Sequence, residues 1–101
     1  MAHFASIPIP STHVPLHFQV TAAAASAAQV LPSLQWVITA SDDATMTFGL
    51  TTAATPDANS MPLWGRTYLT GSTNLRTIDT IRVFNGGGAT IDVWISPLAN
   101  S

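Results

Sequence analysis

A chain of 101 residues, 47% apolar and 8% aromatic, has room for one domain with one modest hydrophobic core and none for a second module. Its net charge of −2 comes from Arg66, Arg76 and Arg82 against Asp42, Asp43, Asp57, Asp79 and Asp92, a balance that argues against a nucleic-acid binder, which must neutralise many phosphates. Cysteine is absent, so disulfides, thiolate nucleophiles and Cys-ligated metals are excluded.

Charged residues make up 8% of the chain, where ordinary soluble domains carry about 25%. With no Lys and no Glu, the surface must be covered by Thr, Ser, Ala and Asn, which are easily desolvated. Depletion of charge is also the compositional mark of interface cores. The composition therefore predicts a subunit of an assembly, with a hydroxyl-coated free monomer as the alternative.

Residues 1–13 contain Ile7-Pro8-Ile9-Pro10, where prolines hold the backbone extended and remove the donors that a central strand needs. This segment is predicted to be an extended N-terminal arm on a single domain spanning 14–101. Phe4, Ile7 and Ile9 would require apolar surface to rest on, of the same or a neighbouring subunit. The N-terminus lacks the basic residues and continuous apolar stretch of a secretory signal. The bland run from Ala22 to Ala28 falls far short of the roughly 20 residues of a membrane span. A protein made inside a cell, with no membrane partner, is expected.

From Val14 the apolar residues alternate, with Val14, Leu16, Phe18 and Val20 on one face and His17 and Gln19 on the other, the period of a half-buried strand. The Ala-rich stretch 21–31 ends at Pro32 and supports a helical turn or a close-packed loop. Leu34, Trp36, Ile38 and Ala40 alternate again, as do Met46, Phe48 and Leu50 after a turn at Ser41–Ala44. This reads as a hairpin pairing Ile38 with Phe48 and Ala40 with Met46. Residues 51–60 are a surface loop, a short strand is predicted near Arg66–Leu69, and Thr70–Asn74 is a further turn.

The segment from Thr80 to Ser96 places Ile81, Val83 and then Ile91, Val93, Ile95 on either side of Asn85-Gly86-Gly87-Gly88. Glycines supply the positive φ of tight hairpin connections, so a second hairpin is predicted, with Val83 opposite Ile91 and Ile81 opposite Val93. The same register sets Arg82 against Asp92 on the outer face as a structural pair. About six to eight short strands with no long amphipathic helix indicate an all-β fold, a small β-sandwich or jelly roll.

Catalytic chemistry finds little support. His13 and His17 share a strand face but lie about 13 Å apart along it, whereas ligands of one zinc lie within about 2.1 Å of the metal; His3 or a second subunit would have to complete a site. There is no Gly-Xaa-Ser-Xaa-Gly elbow, and Gly86-Gly87-Gly88 is followed by neither helix nor Lys. Asp42, Asp43 and Thr45 supply too few oxygens for a calcium loop. The protein is expected to be no enzyme and to carry no cofactor or metal. The aromatics are more informative: Trp64 and Tyr68 fall in or beside an irregular loop, and Trp94 alternates out of phase with Ile91, Val93 and Ile95. Trp94 should face away from the core, either covered by the arm or a loop, or free to stack on a sugar ring.

The stretch Thr80-Ile-Arg-Val-Phe-Asn-Gly-Gly-Gly-Ala-Thr-Ile-Asp-Val-Trp-Ile-Ser96 resembles the closing hairpins of small β-structured accessory proteins of tailed-phage particles, particularly capsid decoration or cement proteins. The resemblance covers about 17 residues, together with a Thr/Ala-rich, Lys-poor composition and a proline-bearing arm. It implies a homotrimer on the capsid surface of a virion, seated on the major capsid protein and stabilising the shell. No motif of that family assigns contact residues; from chain position and expected exposure, Phe4, Ile7 and Ile9 of the arm together with Trp64 and Tyr68 are expected to make the contacts. The alternative is a glycan- or receptor-binding tip domain of a phage fibre or tail.

Overall fold

The computed structural model describes residues 16–32, 35–73 and 78–98, and among these there is no helix. Nine strands form: β1 Leu16–Val20, β2 Ala24–Ala25, β3 Gln29–Val30, β4 Gln35–Ala40, β5 Ala44–Gly49, β6 Met61–Leu63, β7 Leu69–Ser72, β8 Thr80–Asn85 and β9 Ile91–Pro97. They make two antiparallel sheets, one ordered β1-β9-β4-β7 and the other β2-β8-β5-β6, with β3 also paired to β8. The all-β expectation holds. Phe4, Ile7, Ile9, His3 and His13 lie outside the described residues, as does the rest of the arm.

The pairings nest. Leu16 faces Ile95, Ala24 faces Asn85, Gln29 faces Ile81, Gln35 faces Ser72 and Ala44 faces Leu63, so the chain runs out and back as one long two-stranded ribbon. Rolling that ribbon up brings β4 beside β9 and β5 beside β8. This strand order is the topology of a jelly roll, with its second strand position divided into β2 and β3. Ser26 bridges the division: its N–H donates to the Val83 carbonyl at 2.7 Å, and its hydroxyl oxygen accepts from the Val83 N–H at 3.0 Å. The Ala-rich segment is thus an edge strand and not a helical turn, because β8 offers backbone partners that an isolated short helix would lack.

Both predicted hairpins are instead connections between the two sheets. β4 pairs with β7 and β9, β5 with β6 and β8, and neither pairs with the other. The same holds for β8 and β9. Arg82 and Asp92 are therefore not a pair: Arg82 sits opposite Thr47 in one sheet, and Asp92 opposite Gln19 in the other. Nor do Gly86, Gly87 and Gly88 adopt positive φ. The connection is held by Asn85, whose Nδ2 donates to the carbonyls of Val20 and Ala89 at 3.0 and 2.7 Å while its Oδ1 accepts from the Gly87 N–H at 2.9 Å.

The predicted inner face survives this change of pairing except at Leu50, expected inward but 45% exposed just past the end of β5, while Val37, expected outward, is buried. Ile38, Met46, Leu63, Ile81, Val83, Val93 and Ile95 are completely or almost completely buried in one core shared by the two sheets. Each such aliphatic side chain contributes about 1.5–3 kcal/mol by leaving water. Trp36 closes one side of the core, stacked on Phe48 with ring centroids 5.6 Å apart. The strand predicted near Arg66–Leu69 is displaced: β6 and β7 flank it, and residues 64–68 form the loop between them.

Candidate functional site

The outer face of the β1-β9-β4-β7 sheet is built from the residues that alternate with the core positions. Because His17 pairs with Trp94 and Trp94 with Thr39, these three form one row across the sheet. Leu69 pairs with Ile38, so Tyr68, one residue earlier, extends the same row beyond Thr39. The row below it carries Ser96, Val37 and Thr70. Ser41 lies above, tied to Asp92 by two hydrogen bonds of 2.9 Å.

Between Trp94 on β9 and Tyr68 before β7 runs a groove of about 600 Å³ floored by β4. Val37 and Thr39 form its floor, Trp94 and Ser96 one wall, Tyr68 and Arg66 the other. Strands 4.7–4.9 Å apart put about 10 Å between the walls. Trp94 is 38% exposed, facing away from the core as its phase in the sequence predicts, and Tyr68 is 73% exposed.

One side of the indole is already occupied. The His17 ring lies on Trp94 with centroids 5.3 Å apart and planes 9° from parallel. His17 is itself fixed, since its Nε2 donates to Asp92 Oδ1 at 3.0 Å, and Gln19 Nε2 donates to the same oxygen at 3.1 Å. The His17 hydrogen bond, followed by that of Gln19, holds the Asp92 carboxyl below its ordinary range.

Arg66 is placed by backbone geometry. It takes a positive φ of 61°, and its N–H donates to the Ala40 carbonyl at 2.8 Å. Next to it, Gly65 packs so closely on Asp42 that a Cβ would fall 2.6 Å from the Asp42 backbone, and the Gly65 N–H donates to Asp43 Oδ1 at 2.8 Å. The predicted turn aspartates thus fasten the loop that carries Trp64 and Arg66. Trp64 is 61% exposed and borders a wider, open cleft at this end of the sandwich, with Asp42, Pro62, Phe84 and the Gly86–Ala89 turn.

Of the predicted contact residues, Trp64 and Tyr68 lie on one loop and are exposed, although they border different depressions. Among the described residues no group of three or more His, Asp or Glu is arranged to hold a metal ion. Sequence reasoning did not single out Thr39, Ser96 or Arg66 for the site. Thr39 and Ser96 carried only their position out of phase with the core residues, and nothing local said that β4 and β9 are neighbours. No protein-family model, curated protein or solved structure matches this chain.

Proposed function

We propose that this protein is a non-enzymatic structural subunit of a phage virion, a decoration or cement protein that binds the major capsid protein and its own copies through uncharged surface. The observation that carries the reading is the combination of an 8% charged composition with large apolar side chains left exposed at Val30, Leu50, Met61, Trp64, Tyr68 and Leu69. Contiguous exposed apolar surface marks interaction sites, and depletion of charge marks their cores. The jelly roll suits such a role, because its two sheets leave only short edges open to uncontrolled strand addition.

The surface has a direction. Val30 and Gly49 both pair with Thr80, which puts Val30 and Leu50 at the end of the sandwich opposite the Asp42–Asp43 and Gly86–Ala89 turns. They are 72% and 45% exposed. β1 also starts toward that end, at Leu16 beside Ile95. In this reading the arm and the Val30–Leu50 end seat the subunit, and many weak symmetric contacts add through multivalency.

The test is the solution mass by light scattering over a range of concentrations, for the full chain and for a chain lacking residues 1–13. A concentration-independent trimer that dissociates without the arm supports the reading. A monomer at all concentrations with no affinity for capsid shells overturns it.

A further inference from the structure

We infer that the groove between Trp94 and Tyr68 is a binding site for a saccharide bearing a carboxylate, with Arg66 as the partner of the acidic group. The groove lies on the sheet face and not at the Val30–Leu50 end, and of the exposed side chains named for assembly it uses Tyr68 alone.

Many hydroxyls of this surface are used to hold its loops. Thr45 donates to the Asp57 carbonyl, Thr47 to that of Ala54, Thr67 to that of Trp64 and Thr80 to that of Gly49, so each secures a loop. Thr39 and Ser96 in the groove secure none, and neither do Thr21, Thr51, Thr70, Ser72 and Thr90 outside it. The side chains of Thr39, Ser96, Tyr68 and Arg66 make no hydrogen bond among the described residues. Ser41 accepts from the Asp92 N–H and keeps its own proton to donate. These unused groups converge on one depression, within the roughly 300–1,000 Å³ of ordinary ligand clefts.

The aromatic walls select the ligand class. A pyranose has an apolar face of C–H groups that stacks on an aromatic ring and an equatorial rim of hydroxyls that needs hydrogen bonds at right angles to the stack. Trp94 offers the ring and is held in place by the His17–Asp92–Gln19 set behind it, so little side-chain freedom is lost on binding. Thr39, Ser41 and Ser96 offer the hydroxyls beside it, and Tyr68 offers a second ring across the groove.

The charge selects among saccharides. Of the two described arginines, Arg82 is committed: its Nε donates to the Ser26 carbonyl at 2.9 Å and its Nη1 to Thr55 Oγ1 at 2.7 Å. Among the described residues the Arg66 side chain has no hydrogen-bond or ion-pair partner and no aspartate lines the groove, although Arg66 also borders the adjoining cleft that Asp42 and Asp43 line. A guanidinium fork with no internal acceptor matches a carboxylate in two parallel hydrogen bonds. Uronic and sialic acids carry that group on the ring that would stack.

The test is calorimetric titration of the full chain with two probes, an oligogalacturonate hexamer and a sialyl-lactose, against neutral maltohexaose as reference. Binding of at least one acidic probe is expected, with Trp94→Ala abolishing it and Arg66→Gln weakening it roughly 10- to 100-fold. Tyr68→Ala, a change on an exposed loop side chain, provides a second variant whose folding is not in question. Failure of both acidic probes to bind up to about 10 mM overturns the inference, as does binding that Trp94→Ala and Tyr68→Ala leave intact. A synthetic peptide of residues 1–15 that binds with the same Trp94 dependence, where the saccharides do not, would make the groove a seat for the arm and overturn it too. The light-scattering mass of Trp94→Ala, expected to equal that of the wild type, separates this outcome from a failure of the assembly reading.

Discussion

His17 lies flat against Trp94, with ring centroids 5.3 Å apart, and the two residues are direct cross-strand partners on β1 and β9. The contact covers one face of an exposed indole and leaves the other toward the groove over β4. A surface tryptophan is thereby held at a fixed angle by the domain itself, before any ligand or partner arrives.

Replacing His17 removes that support. His17→Ala is expected to lower unfolding free energy by the value of a stacked pair, about 0.5–1.5 kcal/mol, and to shift the fluorescence of Trp94 toward that of a solvated indole. His17→Phe keeps the stack and loses only the hydrogen bond. If the two variants have the same denaturation midpoint and the same emission, the ring stack contributes nothing.

The Asp92 carboxylate gives the face a pH dependence. Its pKa is lowered first by the hydrogen bond from His17 and then by that from Gln19. A carboxylate with a lower pKa folded than unfolded adds stability that is complete above the unfolded value and disappears as pH falls through the folded one. The thermal midpoint of the wild type should therefore exceed that of Asp92→Asn by a constant margin above about pH 5 and lose that margin progressively below the ordinary Asp value of 3.8. A margin that grows on acidification contradicts the assignment.

Arg82 and Asp92 should be energetically independent. They project from the outer faces of different sheets, with Ile81, Val83, Ile91 and Val93 buried between them. A double-mutant cycle on Arg82→Ala and Asp92→Ala is expected to be additive within the scatter seen for distant sites. Measurable coupling would restore the hairpin register and refute the jelly-roll topology.

Asn85 is 1% exposed and serves three backbone groups at the β8–β9 connection. Asn85→Leu would strand the buried Val20 carbonyl and release the turn, at a cost of about 1–3 kcal/mol for each buried group left without a partner. Urea denaturation reads this directly, and a loss under about 0.5 kcal/mol would show that the connection holds without it.

Gly71 sits opposite Trp36 in the β4–β7 pair, and a Cβ there would run into the indole ring. Trp36 is wedged against Phe48 and donates its Nε1–H to Thr73 Oγ1 at 3.2 Å, so it has little room to yield. Gly71→Ala is expected to destabilise by about 1–3 kcal/mol and to change the near-ultraviolet circular dichroism of the tryptophans. A fully stable Gly71→Ala with an unchanged spectrum would place the ring elsewhere.

By itself the sequence determined which side chains face inward along most of the strands, though not at Leu50. Leu16, Phe18 and Val20, Ile38 and Ala40, Met46 and Phe48, Ile81 and Val83, and Ile91, Val93 and Ile95 all alternate, and a period of two assigns a face wherever one side of a strand is buried. The outward position of Trp94 and the surface loop over 51–60 follow from the same local signals. Only the tertiary structure decided the pairing. Ile38 and Phe48 face inward whether their strands lie side by side in one sheet or across from each other in two, so the alternation is blind to the difference. The groove depended on that decision: Trp94, Thr39 and Tyr68 stand in one row only because the ribbon pairs β4 with β7 and its rolling brings β9 against β4. Contacts between segments more than 25 residues apart are set by how two apolar faces close on one core, and no local spacing in the chain records them.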